Sequence, residues 1–184
     1  MSKGVLSGGV IGGVVMFLWG ALSHLLLPIG STATKAIPDE HKVIAAMQAT
    51  MLEPGLYVFP WDEPGRNTDR ANPTAVDGPN GVIVYQPRGT SNVTTLQPII
   101  ELLSDIACAL VAGVLLCKAK GGLTTYAKRV AFVALLGLLP WLAMSVSYWT
   151  WYHFPTSYFL GEGLDQVIGF ALTGLVLAAT VKEA

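Results

Sequence analysis

The sequence predicts an all-α integral membrane protein: a four-transmembrane-helix bundle with a small α+β extracytoplasmic domain between helices 1 and 2. Three observations predict it. Of the 184 residues, 52% are hydrophobic and 12% charged, against about 25% charged in a soluble domain. Four apolar stretches are each long enough to cross a hydrocarbon core of about 30 Å. The short connector from Lys118 to Arg129 holds Lys118, Lys120, Lys128 and Arg129 and no acid. Basic side chains resist translocation, so such a connector is expected on the cytoplasmic face.

The first span covers residues 4–27, GVLSGGVIGGVVMFLWGALSHLLL. Ser31-Thr32-Ala33 offers small residues for cleavage. The apolar run, however, is longer than the 7–15 residues of a signal peptide, so a retained span is expected. Within it Gly4, Gly8 and Gly12 lie four apart, as do Gly9 and Gly13. Such ladders of small residues let a second helix come close to the backbone. They predict a packing seam, within the bundle or between subunits.

An extracytoplasmic insert follows, residues 29–97. Pro38-Asp39-Glu40 opens a helix that runs to Leu52, because proline suits a first turn and acids suit its positive end. Val43, Ile44, Met47, Met51 and Leu52 recur at helical spacing and give it one apolar face. Glu53-Pro54-Gly55 ends it. Residues 56–59 and 81–86 read as short strands. The stretch 61–80 is rich in Pro, Gly, Asn and Asp and reads as a loop. Two strands and a helix are marginal alone, so the insert is expected to pack on the bundle or on a partner. Asn92-Val93-Thr94 matches a glycosylation sequon, which matters only in a eukaryotic secretory pathway.

The remaining spans cover residues 98–117, 130–151 and 164–181. Lys3, the basic connector and Lys182 then fall on one side, which puts both termini in the cytoplasm. Trp149, Trp151, Tyr152, Phe154, Tyr158 and Phe159 gather at the outer ends of the last two spans, where amphipathic rings prefer the interface. Pro140 is expected to kink the third span, with Trp141 filling the gap. Cys108 and Cys117 lie on opposite faces of one helix about 13 Å apart, so they cannot bridge each other.

Chemistry-bearing residues cluster at the outer ends. Glu101 and Asp105 are i and i+4 on the second span and share a face. His24 ends the first span, His153 follows the third, and Glu162 and Asp165 open the fourth. His24, Glu101, Asp105, His153 and Asp165 are the set from which a divalent metal site or a proton-linked pocket is expected. The same residues also fit ordinary roles: acids at helix N-termini, a capping histidine, an interfacial ring. Asp105 lies too deep for a cap, and a pairing with Arg88, His24 or His153 is expected for it. The sequence has no Gly-rich phosphate loop, no GxSxG, no HExxH and no paired CxxC. No cofactor can be named, and no basic stripe outside the connector suggests nucleic acid.

The strings WGALSHLLLPIG (19–30), EPGLYVFP (53–60) and GVIVYQPRG (81–89) resemble those of small four-span bacterial inner-membrane proteins of no known activity. The resemblance implies a bacterial inner-membrane location and carries over no functional residue. The plan of four spans and a large first loop is also similar to that of claudin-like proteins. Those have two cysteines in the outside loop, and this loop has none.

Three functions follow as expectations. The first is a non-catalytic accessory or structural subunit of a larger bacterial membrane complex, packing through the glycine-rich first helix and the outside domain. Its partners are the lipid bilayer and other subunits. The second is a small membrane enzyme or a metal- or ligand-binding protein using the outer His/carboxylate cluster. The third is a transporter or channel formed by an oligomer.

Overall fold

Helix α1 (Lys3–Leu25), α3 (Leu96–Ala119), α4 (Tyr126–Trp151) and α5 (Thr156–Thr180) carry the four apolar stretches, and each is long and apolar enough to cross a membrane. The structure, a computed structural model, describes residues 2–27, 29, 33–61, 78–87 and 96–181. The sequon and Arg88 lie outside the described residues. The chain divides into two compact units. One is Met1–Thr34 with Thr94–Ala184, the helical bundle, and the other is Lys35–Val93.

In the bundle α1 packs against α3 and α5, α5 packs against α4, and α3 and α4 touch only lightly. Neighbours run antiparallel. Gly4 of α1 faces Thr180 of α5, and Gly12 faces Thr173. Gly9 and Gly13 face Leu110 and Ile106 of α3. Both glycine registers are therefore used, each on a different helix of the same chain. The seam is internal, and of the α1 glycines Gly20 alone has nothing within 4 Å. Thr173 adds an interhelical bond, donating its hydroxyl to the Gly12 carbonyl at 3.1 Å.

The α4–α5 contact uses glycines outside any ladder. Gly137 lies against the Gln166 carbonyl, Gly174 against Val130 and Gly163 beneath the Trp141 ring. α4 itself is broken at its middle. Pro140 has no N–H to donate and its ring crowds the carbonyl four residues back. The helix opens into a wide turn over Trp141–Ser145 before resuming at Val146–Trp151. Trp141 packs over Gly163 and donates Nε1–H to the Phe159 carbonyl at 2.8 Å.

The best-packed core sits near the chain ends. Val5, Ala112, Leu116, Val133, Leu177 and Val181 are buried together there. Arg129 joins this end, donating to the Leu123 carbonyl at 3.0 Å and the Val181 carbonyl at 3.3 Å. A guanidinium at the end of α5 suits the negative pole of that helix. Both termini of the bundle and the basic connector thus lie at one end.

The last helix departs from expectation. It starts at Thr156, not near residue 164. The connector before it is short because His153 adopts a left-handed backbone, φ 56°, and the Phe154 amide bonds back to the Tyr148 carbonyl at 3.1 Å. Glu162 and Asp165 therefore lie inside the helix, and its first turn contains no acid. Gly161 and Gly163 do not end the helix, because Gly163 is held under Trp141.

The second unit contains the expected helix and two strands, and residues 62–77 of the expected loop lie outside the described residues. α2 spans Glu40–Thr50. β1 (Gly55–Phe59) and β2 (Gly81–Tyr85) pair antiparallel, with Leu56 opposite Val84 and Tyr57 opposite Ile83. α2 buries no residue fully. Leu56 is 62% and Val84 84% exposed, so one face of the ribbon presents an uncovered apolar pair.

Candidate functional site: an acid-ended groove between α3 and α4

The light contact between α3 and α4 leaves an apolar groove of about 400 Å³. Ala107, Cys108, Val111 and Leu115 of α3 form one wall. Leu136, Leu139 and Pro140 of α4, at the break in that helix, form the other. Ala112 and Phe170 also line it. Small side chains on α3 and the proline-driven break in α4 together keep the two helices from closing.

The carboxylates stand beyond one end of this groove. Glu101, Asp105, Cys108, Ala112 and Leu115 follow a 4-3-4-3 spacing, which places them on one stripe of a helix. Cys108 lies within the electrostatic reach of both Asp105 and Glu101. Asp165 of α5 lies within reach of Asp105. Glu101 and Asp105 thus continue the groove-lining stripe of α3 beyond Cys108.

No described residue forms an ion pair with them. Among the described residues the one ion pair is Lys42–Asp39, in the second unit. Asp105 is half-buried, and no hydrogen bond or ion pair to a described residue satisfies it. The Asp165 Oδ1 is buried and accepts no hydrogen bond. The Asp165 backbone is held differently: its carbonyl accepts from Trp19 Nε1 at 3.1 Å. That bond ties α1 to α5 at the level of the acids.

The two histidines do not join the acids as expected. His24 is exposed, and its Nδ1 lies 3.0 Å from the Gly20 carbonyl and 2.9 Å from Ser23 Oγ, on its own helix. Its electrostatic neighbour is Glu162. His153 is exposed and serves the α4–α5 turn through its backbone. Neither forms an ion pair with Asp105. Among the described residues no three His, Cys, Asp or Glu side chains are grouped to hold a metal ion. Of the set His24, Glu101, Asp105, His153 and Asp165, Asp105 lies within electrostatic reach of Glu101 and Asp165, His24 neighbours Glu162, and His153 stands in the α4–α5 turn. Cys108 and Cys117 are both free thiols.

The aromatic block is built as a stack. Trp141 and Phe159 lie 4.8 Å apart, and Trp149 stacks on the same Phe159 at 5.1 Å. Tyr148 and Phe154 stack at 5.4 Å. These rings occupy one another's faces and brace the α4–α5 turn. The sequence alone did not reveal the groove. Its signal was the continuation of the Glu101–Asp105 stripe through Cys108, Ala112 and Leu115.

Comparison of the chain with family models, with curated proteins and with solved structures finds no match.

Proposed function

We propose that the chain is a non-catalytic subunit of a bacterial inner-membrane complex. Four spans hold it in the bilayer, with both termini and the basic connector in the cytoplasm and the 35–93 unit outside. The observation that carries this reading is the apolar face of the small unit. Leu56 and Val84 are paired across the strands and exposed, and Leu52 and Trp61 are 80% and 65% exposed. On the bundle such exposure suits lipid. Outside the bilayer it leaves apolar surface in water, and covering one such side chain contributes about 1.5–3 kcal/mol. Partner contacts fall first to this face, because the two glycine ladders of α1 are used within the bundle. Replacing both ribbon residues, Leu56→Ser with Val84→Ser, is expected to release the partner chains while the bundle melts unchanged. A complex that survives the double substitution would overturn this assignment.

A second reading is favoured by the acid-ended groove: the chain binds a ligand within the membrane. Carboxylates in a span are costly and are ordinarily paired. Here Glu101 and Asp105 share a stripe of α3 with Cys108, which lines an apolar cleft. The two readings are compatible, since a subunit can hold a ligand.

A further inference from the structure

We propose that three lysines at the core end of the bundle, Lys3, Lys118 and Lys128, bind the headgroups of anionic phospholipids, so that this end of the protein gathers such lipids in its leaflet. The proposal goes beyond the partner reading and is independent of it.

Three observations carry it. The first is placement. Lys3 opens α1, Lys118 lies in the last turn of α3 and Lys128 in the first turn of α4. All three are exposed. Val5, Leu116 and Val133, close to them in sequence, pack together in the buried core. Three helices therefore bring the lysines to one end of the bundle. Leu123 packs against the same core, which draws the basic connector in against that end.

The second is the division of charge. The described acids of the bundle, Glu101, Asp105, Glu162 and Asp165, stand in its other half. Asp165 is level with Trp19, whose indole bonds its carbonyl, whereas Gly4 is level with Thr180. From Asp105 to Lys118 is about 20 Å along α3, about two Debye lengths at physiological salt. None of the three lysines makes an ion pair with a described residue. Three ammonium groups are thus left at this end for an outside anion.

The third is what surrounds the lysines. Leu6 lies one turn from Lys3 and Leu115 one turn from Lys118, each on the same helix face. They are 52% and 40% exposed. Tyr126, beside Lys128 in the first turn of α4, is exposed and donates its hydroxyl to the Leu175 carbonyl of α5 at 2.9 Å. An amphipathic ring of this kind settles at a membrane surface. Ammonium groups next to exposed hydrocarbon match a phospholipid, which sets a phosphate above acyl chains. A soluble anion would use the charge and leave the hydrocarbon bare. Lysine also has the right build, because its stem lies along apolar surface while its head reaches outward.

The test uses the full chain reconstituted in vesicles of equal phosphatidylglycerol and phosphatidylcholine. The protein is extracted in a mild neutral detergent, and the lipid it retains is weighed by native mass spectrometry. Phosphatidylglycerol is expected to be retained at least about fivefold over phosphatidylcholine, and the combined Lys3→Gln, Lys118→Gln and Lys128→Gln variant to bring that ratio below about twofold. Lys3→Arg, Lys118→Arg and Lys128→Arg together are expected to keep it. Lys42→Gln, in the small unit, is expected to leave it unchanged. All three lysines are exposed, so the variants are expected to melt with the parent chain. An even ratio in the parent chain, or a preference that survives the triple glutamine variant, overturns the proposal. A preference lost equally in Lys42→Gln overturns the assignment to this end of the bundle. A preference abolished by millimolar glycerol 3-phosphate assigns the lysines to a soluble phosphate and overturns the proposal as well.

Discussion

Gly13 of α1 lies directly against the backbone of Ile106 in α3: a Cβ at that position would come within 2.6 Å of the Ile106 amide nitrogen. The contact is backbone to backbone, so no rotamer change relieves it. Gly20, two turns further along α1, has nothing within 4 Å of the same hypothetical atom. The two glycines belong to one helix and differ only in what they face. Gly13→Ala is therefore expected to destabilise the bundle by about 1–3 kcal/mol, the range for overpacking. Gly20→Ala is expected to be neutral or stabilising by up to about 1 kcal/mol, because alanine is the better helix former. Denaturation midpoints of the two variants in one mixed micelle separate them. Equal midpoints would contradict the internal seam.

Gly163 and Trp141 make a similar contact between α5 and α4. A Cβ on Gly163 would meet the indole ring at its Nε1 and Cε2 atoms. The ring is also fixed by its bond to the Phe159 carbonyl and by stacking on Phe159. Gly163→Ala is expected to cost about 1–3 kcal/mol. Trp141→Phe keeps a ring but loses the hydrogen bond, and is expected to cost about 1 kcal/mol. The double variant is expected to cost less than the sum, because the smaller ring makes room for the methyl group. A double-mutant cycle by thermal melting checks this. Strict additivity would show that the two residues do not constrain each other.

The proposed orientation makes a prediction of its own. Ser2 and Gly121 lie at the end of the bundle with the basic connector, and Gly121 has open space around it. In a chain carrying Cys108→Ser and Cys117→Ser, Ser2→Cys and Gly121→Cys are expected to react with a membrane-impermeant maleimide only after the cells are opened. Glu53→Cys, in the small unit, is expected to react in intact spheroplasts. The reverse pattern would invert the topology and place the acids on the cytoplasmic side.

The sequence made the four long apolar helices legible because length and hydropathy suffice for them. The helix and two strands of the insert were legible from proline and glycine punctuation and from period-two patterning. The order of the helices was not. In a soluble bundle an apolar stripe marks the buried side. Here both the packed and the exposed sides of each span are apolar, so periodicity cannot tell Leu103, 61% exposed, from Leu116, fully buried. Gly137, Gly163 and Gly174 escaped notice for a related reason. They lie on two helices with no repeating interval, and only the fold shows that they lie along one contact. Asp105 stood out at once as an acid in a span. Its neighbours did not, because they come from another helix: Asp165 lies 60 positions later in the chain. The histidines were legible only as positions near helix ends: His24 bonds within its own helix and neighbours Glu162 of α5, and His153 sits in a turn its backbone shapes.

The central claim is that this chain works as part of a larger assembly. Native mass spectrometry of the protein, purified from its own membranes in a mild neutral detergent, tests it most directly. The account predicts a complex with different chains, lost when Leu56→Ser and Val84→Ser are combined. A chain that emerges alone, or bound only to copies of itself, contradicts it.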